Sequence, residues 1–361
     1  MKTLTITLHD TDNCGSSLQA FALQHFLEQN GIENEILNYV PNYVKNNGNM
    51  LKTILKRIIY FREYNNREKK FKEFSKKYLK VTNTKFKKYQ ELEKFKFEYD
   101  AFITGSDQLW NSRYKCGQDA AFYLKFVKNG EKKIAYAVSL GREKIPDSNI
   151  EILKSYARDF YWVSVREKSS VNQIKNFFPN TNVEYVCDPV LLNDSIEYNS
   201  IKSKRLINEK YILIYMAQIP DTDFMNKIIT MIKEKIDGKI LLIGAYRNRC
   251  ISDLQIRDVA PGDFLSLIYN AEYIVSNSFH ATMFSLIYEK QFLSVLPTEN
   301  GARIKEILKY ANIEKNGITT DTIINDIPYI DDYEKVTSLL NDFKNNSRKK
   351  LLKNLKGTNH E

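Results

Sequence analysis

His280 stands in the stretch of this 361-residue sequence that offers the clearest chemistry. Residues 273–275, shortly before it, are β-branched or aromatic and predict a short buried strand. Ser276 and Ser278 interrupt that strand and can cap a helix, and apolar residues recur at helical spacing from Ala281 onward. His280 is therefore expected where a strand of an open sheet passes into a helix. Ligands bind at this place in α/β folds, where free N–H groups and the helix dipole favour an anion.

The sequence leaves two interpretations of His280 open. The histidine can bind a phosphate or transfer a proton, or it can merely cap the helix. The chain has four histidines and no GxGxxG, GxxxxGK[ST], HExxH or GxSxG motif, so a metal site rich in histidine is not expected. Its 23 Tyr and 20 Phe occur without any nucleic-acid-binding motif, and no nucleic-acid partner is expected either.

Four more short strands in the first half of the chain are each followed at once by polar or charged residues. The strands are predicted at 100–104, 134–138, 162–165 and 183–186. The residues that follow them are Gly105, Ser106, Asp107 and Gln108, then Ser139, then Arg166 and Glu167, then Asp188. Because the carboxyl ends of parallel strands share one edge of a sheet, this repetition predicts a cleft lined by strand ends.

Alternating strands and helices must position these residues. A strand at 3–8, a helix at 18–30 and a strand at 35–40 form a βαβ beginning, which predicts a parallel α/β sheet. A second α/β run has strands at 211–215, 239–243 and 292–296 and helices at 223–235, 264–268 and 302–310. The predicted units are an N-terminal domain over 1–195, a C-terminal domain over 196–330 and a helical tail over 331–361.

Length and composition agree with a two-domain globular protein. At about 100–200 residues per domain, a chain of this length is expected to form two. The four cysteines are scattered without metal-ligand spacing, which indicates reduced thiols and a cytoplasmic location. The first eight residues alternate like a strand instead of resembling a signal peptide, and no apolar run is long enough to span a membrane.

The net charge is concentrated in a helical insertion predicted at 45–97. Residues 45–100 hold 17 Lys/Arg and 7 Asp/Glu, an excess equal to the net charge of +10 of the whole chain. Two apolar stripes at helical spacing run through the insertion, formed by Met50, Leu51, Ile54, Leu55, Ile58 and Ile59, and by Phe71, Phe74 and Tyr78. Either these stripes pack on the domain and the lysines are solvated, or the insertion lies on an anionic membrane surface with Lys52, Lys56 and Arg57 beside its apolar face.

Seven stretches, in order, resemble the motifs of the polysaccharide pyruvyl transferase family. They are 13–23 (NCGSSLQAFAL), 102–111 (FITGSDQLWN), 135–141 (AYAVSLG), 163–169 (VSVREKS), 188–192 (DPVLL), 261–268 (PGDFLSLI) and 276–280 (SNSFH). The resemblance covers roughly residues 1–312. It implies two Rossmann-like domains facing a cleft, in a GT-B-like arrangement. It also implies transfer of pyruvate from phosphoenolpyruvate to two hydroxyls of a sugar, forming a ketal on a cell-surface polysaccharide precursor.

The resemblance and the chemistry together suggest roles for particular residues. Arg166, the helix start at Ser278 and Arg303 would bind the anionic groups of the donor. His280 would act as general acid or as a protonated phosphate ligand, and Asp107 as the base. The acceptor side would be lined by Asn13, Gln19 and Trp110, with Trp110 stacking on a sugar ring. Further substrate-binding candidates are Gly15, Ser16, Gly105, Ser106, Gln108, Ser139, Glu167, Ser276 and Phe279. The scheme requires no metal and no bound cofactor.

Two positions depart from the family pattern. Members often have an arginine two residues before the histidine and a glycine after it, and this chain has Ser278 and Ala281. Because an arginine would supply a bidentate phosphate contact, its loss leaves the donor open. The alternatives are a GT-B-type glycosyltransferase that uses a nucleotide-sugar, and a non-catalytic, membrane-associated component of polysaccharide assembly.

Overall fold

The first half of the chain forms a six-stranded parallel sheet. The computed structural model describes residues 1–45, 59–128, 130–218, 221–244, 250–298 and 301–357. The strands of this sheet are β1 (Lys2–Ile6), β2 (Glu33–Ile36), β3 (Ala101–Thr104), β4 (Lys132–Val138), β5 (Trp162–Val165) and β6 (Val183–Tyr185). They lie in the order β2-β1-β3-β4-β5-β6, and every neighbouring pair is parallel. All six carboxyl ends therefore meet at one edge of the sheet.

Seven described helices accompany this sheet. They are α1 (Cys14–Gln29), α2 (Asn42–Lys45), α3 (Phe61–Tyr78), α4 (Tyr89–Lys94), α5 (Asp147–Tyr156), α6 (Lys168–Ile174) and α7 (Ser195–Ile201). Helix α1 begins four residues earlier than the sequence predicts, because the side chain of Asn13 accepts hydrogen bonds from the N–H groups of Gly15 and Ser16. This cap brings the first turn of α1 to the edge where the strands end.

The second half repeats the same architecture. Its strands are β7 (Tyr211–Met216), β8 (Lys239–Gly244), β9 (Leu254–Ile256), β10 (Tyr273–Ser276), β11 (Phe292–Val295) and β12 (Gly317–Ile318), in the order β12-β11-β10-β7-β8-β9. The described helices are α8 (Thr222–Lys233), α9 (Pro261–Tyr269), α10 (Phe279–Ile287) and α11 (Ala302–Tyr310). All neighbouring strands are again parallel, so the predicted α/β class with two parallel sheets is confirmed.

The two halves share one apolar core. Buried side chains of α1 and of the helices α9 and α10 belong to a single cluster. At its centre the ring of Tyr198, from α7, meets the ring of Phe284, from α10, edge to face at 4.9 Å. Burial of large rings across the junction holds the two sheet edges in a fixed relation.

The tail forms the long helix α12 (Tyr333–Lys356), which returns to the first half of the chain. The hydroxyl of Ser347 accepts a hydrogen bond from the backbone N–H of Cys187, and Lys132 donates to the carbonyl of Leu355. Arg348 donates to the carbonyl of Leu192. The later turns of the tail are therefore bound to the first half of the chain, while Tyr333 and Thr337 in its first turns donate to Lys290 and Glu289 of the second half.

Helix α3, from the basic insertion, packs on the protein body. Phe71 and Phe74 are buried, and Phe74 meets Phe21 of α1 edge to face. Lys70 reaches the second half, where its ammonium group lies 3.1 Å from Asp258 and 3.0 Å from Asp263. This part of the insertion thus agrees with the packed-helix interpretation. In the other predicted stripe, Ile59 is exposed, and the stretch from Met50 to Ile58 lies outside the described residues.

Candidate active site at the facing sheet edges

A buried network of charges joins three strand ends of the first sheet. Arg166, directly after β5, has its Nη2 3.3 Å from Oδ1 of Asp107 and donates through Nη1 to Oδ2 of Asp188. The Arg166 and Asp188 side chains are almost wholly buried. The hydroxyl of Ser16, in the first turn of α1, donates to Oδ2 of Asp107 at 2.6 Å. The prediction that strand ends converge is correct, but Arg166 is already occupied by two carboxylates.

Asp107 is a poor candidate for the base that the sequence suggested. Burial raises the pKa of its carboxyl, but the charge of Arg166, the nearby His280 and the hydrogen bond from Ser16 lower that pKa further, so it ends well below its usual range. Its Oδ1 also accepts a hydrogen bond from the N–H of Gln108. A carboxylate held so firmly in its ionised form has little affinity for a proton, so Asp107 serves as a counter-ion to Arg166.

Asp188 is the central residue that the sequence reasoning left out of the site. Its Oδ2 accepts from Arg166 and from the hydroxyl of Ser106, and it lies 3.9 Å from Nε2 of His280. Its Oδ1 accepts from the N–H of Val190 and so caps the short 3-10 helix Pro189–Leu192. Like the residues assigned to the site from the sequence, Asp188 follows a predicted strand. Its position after a strand was therefore enough to select it as a site residue.

His280 approaches this network from the second half of the chain. It is the second residue of α10, and the helix cap is Ser278, whose hydroxyl accepts from the N–H of Ala281 at 3.4 Å. The imidazole packs on the first turn of α1, where a Cβ added to Gly15 would lie 2.2 Å from Nδ1. The capping role therefore falls to Ser278. His280 is left as the residue that bridges the two sheet edges.

The electrostatic surroundings of His280 keep its ring neutral at pH 7. Burial lowers the pKa of the imidazole, Asp188 raises it and Arg166 lowers it again, with a net value of about 4. Its Nε2 is buried and has no hydrogen-bond partner among the described residues. A buried ring nitrogen without a partner indicates a place where a ligand atom can bind.

Arg303 supplies a second guanidinium from α11. It is 8% exposed and has neither a hydrogen bond nor an ion pair with any described residue, and its Nε is buried. Burial and the charge of Arg166 lower the pKa of Arg303 to about 10. The guanidiniums of Arg166 and Arg303 lie 4.9 Å and 5.1 Å from the ring centre of Phe279. Phe279 thus contacts a cation that has no ion-pair partner among the described residues.

Glu167 lies behind this cation. It is fully buried, accepts a hydrogen bond from the hydroxyl of Ser139, and leaves Oε2 without a partner among the described residues. Burial raises the pKa of Glu167, and the charges of Arg166 and Arg303 lower it in part, so the net pKa is above the usual value. The carboxyl is therefore more easily protonated than an exposed glutamate, and it balances the charge of Arg303 only in part.

Several residues predicted to line the substrate lie behind the cleft instead. Trp110 is fully buried, stacks at 5.1 Å on Tyr123 and at 5.9 Å on Phe178, and donates its indole N–H to the carbonyl of Phe122. Both faces of its ring are covered, so the predicted stacking on a sugar is wrong. Gln19 is also fully buried and bonds to Thr7 and Ser106.

The remaining predicted residues shape the loops around the cleft. Ser106 donates to the carbonyl of Ala137, and Ser276 donates to the carbonyl of Tyr215. Gly105 has a φ of 132°, and a Cβ there would lie 2.0 Å from the carbonyl oxygen of Tyr136, so no larger residue fits. These contacts fix the strand ends that carry Asp107 and His280.

A cavity of about 440 Å³ opens beside Arg303, between the two halves. Its walls are the loop after β4, with Arg142 and Lys144, the loop after β11, with Pro297, and the first turns of α11, with Lys305. Lys305 lies 3.9 Å from Glu143, and both side chains are exposed. The cavity therefore presents exposed charges of both signs at the junction of the two halves.

Two further classes of site were tested on the described residues. No group of three or more His, Cys, Asp or Glu in the described part of the chain has the arrangement needed to hold a metal ion. Among the described helices, none is both long and apolar enough to cross a bilayer.

Comparison with solved structures identifies the class of fold. A structure assigned as a UDP-N-acetylglucosamine 2-epimerase from Listeria monocytogenes aligns over 99% of this chain and 88% of its own length, at 9% identity and a TM-score of 0.50. UGT89C1 from Arabidopsis thaliana aligns over 98% of this chain and 99% of its own, at 10% identity and a TM-score of 0.50. The protein thus has the two-domain, GT-B-like architecture in which two Rossmann-like sheets face a cleft.

The family follows from the sequence. The model of the polysaccharide pyruvyl transferase family matches residues 13–299, which is most of the chain. A comparison with curated proteins finds no significant match. The chain belongs to the polysaccharide pyruvyl transferase family, and it is a transferase that modifies polysaccharides.

Proposed function

We propose that the protein transfers pyruvate from phosphoenolpyruvate to two hydroxyls of one sugar in a cell-surface polysaccharide precursor. One hydroxyl oxygen adds to C2 of the enol while its methylene carbon gains a proton and becomes a methyl group. The second hydroxyl oxygen then displaces phosphate from C2 and closes the ketal. The two hydroxyl protons are balanced by the new methyl hydrogen and by the released hydrogen phosphate.

One observation carries this proposal, namely the pair formed by Arg303 and His280. Both side chains are more than nine-tenths buried, and both present a nitrogen without a partner among the described residues. A buried cation without an ion-pair contact favours an anionic ligand, and phosphoenolpyruvate offers a carboxylate and a phosphate. Arg303 would bind one of these groups.

His280 would supply the proton. Its ring is neutral in the free protein, and a bound dianion would raise its pKa and draw a proton to Nε2. From there the proton can pass to the methylene carbon of the donor. Asp188, 3.9 Å from Nε2, would stabilise the charged ring. Arg166, which is occupied by Asp107 and Asp188, would orient this pair in place of the direct donor contact suggested by the sequence.

The direct test is turnover of phosphoenolpyruvate with a panel of p-nitrophenyl glycosides of glucose, galactose, mannose and N-acetylglucosamine. The expected result is phosphate release coupled to a product heavier by one pyruvate less one water. His280→Asn should lower kcat by at least about 100-fold, as expected for loss of a general acid. His25→Asn is the matched control, because His25 lies on α1 and hydrogen-bonds to Gln29. Sugar transfer from UDP-glucose without turnover of phosphoenolpyruvate would replace the proposal with a glycosyltransferase.

The charge of the basic insertion suggests at which surface in the cell the protein binds its acceptor. We infer that residues 45–97 bring the protein to the cytoplasmic face of the inner membrane, where a lipid-linked oligosaccharide would serve in exopolysaccharide synthesis. Each basic residue near an anionic surface contributes about 1 kcal/mol, and salt screens this attraction. Vesicle co-sedimentation should show binding to anionic vesicles at low salt. The binding should weaken when Lys52, Lys56 and Arg57 become Gln.

The matched control for that measurement carries Gln at Lys233, Lys235 and Lys239, which lie in the second half of the chain. These lysines are paired with Asp253, Asp326 and Glu209. Equal binding to neutral and anionic vesicles, or equal loss of binding in both triple variants, would contradict a membrane role for the insertion.

A further inference from the structure

We propose that a second cavity, in the first half of the chain, binds the acceptor glycan and recognises the uncharged hydroxyl groups of that glycan. The cavity has a volume of about 470 Å³ and lies between the carboxyl ends of β1 and β2 and the helix α3. This inference rests on the proposed function and goes beyond it, because it places the acceptor and states which chemistry recognises it.

The inner part of the cavity offers polar but uncharged groups beside apolar surface. His9 is 4% exposed and places Nδ1 3.2 Å from the carbonyl of Thr7. Burial lowers the pKa of His9, and hydrogen bonds to the Thr7 carbonyl and to the side chain of Asn38 raise that pKa only in part, so the ring is neutral. The imidazole and the Asn38 amide together form an uncharged polar patch. Phe71 and Ser75, one helical turn apart on α3, complete this part of the wall. Hydroxyls and C–H groups of a sugar match such a surface.

The rim of the cavity carries charges that compensate one another. Three carboxylates and three lysines lie there, namely Asp10, Asp12, Glu68, Lys72, Lys76 and Lys85. Lys85 lies 3.5 Å from Asp10, and Lys72 lies 2.7 Å from Glu68. Opposite charges in equal number leave no net attraction for an anion or a cation. The cavity therefore favours a neutral, hydroxyl-rich ligand, in contrast to the site at Arg303.

The position of the cavity fits an acceptor. His9 to Asp12 form the loop between β1 and α1, and Asn13 then caps the helix whose first turn touches His280 at Gly15. A glycan in the cavity thus extends along one loop toward the imidazole. The cavity of about 440 Å³ at Arg142 and Lys305 shares no lining residue with this one. The donor and the acceptor would therefore occupy separate cavities.

Filling the cavity tests the proposal. Ser75→Trp places an indole in the cavity, and Lys69→Trp is the matched control on the same helix, where the Lys69 side chain is 76% exposed. The acceptor is the p-nitrophenyl glycoside that the wild-type protein converts fastest. Ser75→Trp should raise the KM for this glycoside by at least about tenfold, while the KM for phosphoenolpyruvate stays within about twofold; this separates lost acceptor binding from a damaged active site. Lys69→Trp should change neither.

A second variant distinguishes lost acceptor binding from misfolding of Ser75→Trp. If Ser75→Trp lowers the melting temperature, Asn38→Ala, which removes one hydrogen-bonding group, should still raise the acceptor KM several-fold with the donor KM unchanged. An unchanged acceptor KM in both variants overturns the cavity assignment.

The assay also separates this inference from the proposed function. If the wild-type protein converts none of the glycosides, the proposed pyruvyl transfer has failed, and saturation-transfer NMR then measures binding of the same four glycosides. Signals that are present in the wild type and lost in Ser75→Trp would support the cavity as a glycan site. No saturation transfer from the wild type to the glycosides, or equal transfer from both proteins, would overturn it.

Discussion

The two sheet edges that form the cleft differ in how their charges are compensated. At the first edge, Arg166 is bound by Asp107 and Asp188, and hydroxyls of Ser16 and Ser106 complete the set. At the second edge, His280 and Arg303 are equally buried, yet both have nitrogens without partners among the described residues. At the first edge the charges of Arg166, Asp107 and Asp188 pair with one another, although Nε of Arg166 and Oε2 of Glu167 lack hydrogen-bond partners among the described residues. At the second edge Arg303 pairs with no carboxylate among the described residues, which leaves its charge for a ligand.

This difference indicates that the first edge stabilises the fold and that the second edge binds the ligand. A buried charge with good partners costs little while both partners are present, and a buried charge without one lowers stability until a counter-ion arrives. Removing a residue from the first edge should therefore unfold the protein more readily. Removing one from the second should mainly affect ligand binding.

The largest effect is expected for Arg166→Met. The substitution leaves Asp107 and Asp188 buried without a cation, which should cost about 3–5 kcal/mol of the free energy of unfolding. Urea denaturation measures this cost. Lys239→Met, which breaks an exposed pair with Glu209, is the control and should cost less than about 1 kcal/mol. Native stability of Arg166→Met together with a raised KM for phosphoenolpyruvate would show instead that Arg166 contacts the donor.

Arg303→Met should weaken ligand binding and leave the free energy of unfolding almost unchanged, which is the opposite of the result expected for Arg166→Met. It removes a desolvated cation and keeps the volume of the side chain, so the free energy of unfolding should stay within about 1 kcal/mol of the wild type or rise. Affinity for phosphoenolpyruvate should fall by about 100-fold, or 2–3 kcal/mol, because the charge-assisted contact is lost. Isothermal titration calorimetry measures the affinity. If stability collapses and affinity is unchanged, the two edges do not differ in the way described.

The smallest effect concerns pH. The pKa of His280 is lowered from 6.5 to about 4 in the folded protein. Between these values the unfolded chain binds a proton that the folded chain does not, so stability is lost as the pH falls from about 6.5 to 4. His280→Asn should flatten this dependence in urea denaturation at several pH values. Saturating inorganic phosphate should flatten it too, since a bound anion raises the histidine pKa.

An unchanged pH dependence in His280→Asn would assign the proton uptake to another group. His9 is the nearest alternative, because burial lowers its pKa as well. The variant His9→Asn is therefore the matched control, and its effect on the pH dependence is measured in the same way.

The sequence predicts much of the fold because its elements are local. Strand β5 and helix α11 have the predicted bounds, and β10 and α10 differ from the prediction by at most two residues. Short strands followed by polar residues also place Asp107, Arg166 and His280 at one cleft. Periodicity and capping depend on neighbouring residues, and those signals are visible in a single sequence.

The chemistry of the site was harder to predict because it depends on contacts between distant residues. Arg166 and Asp107 are 59 positions apart, and nothing local indicates that one neutralises the other. Trp110 follows a strand end as Asp107 does, yet its ring turns into the core between Tyr123 and Phe178. Asp188 also follows a predicted strand, yet it was not among the residues predicted to form the site. A strand-end rule locates a residue, but the direction and partners of its side chain follow from packing.

The contact between Gly15 and His280 has a consequence for the spacing of the two halves. Gly15 belongs to the first half and His280 to the second, and only hydrogen fits between the α1 backbone and the imidazole. A single methyl group at position 15 would have to displace the ring, and with it the 3.9 Å separation between Nε2 and Asp188. The smallest residue of the site thus sets the distance between the two sheet edges.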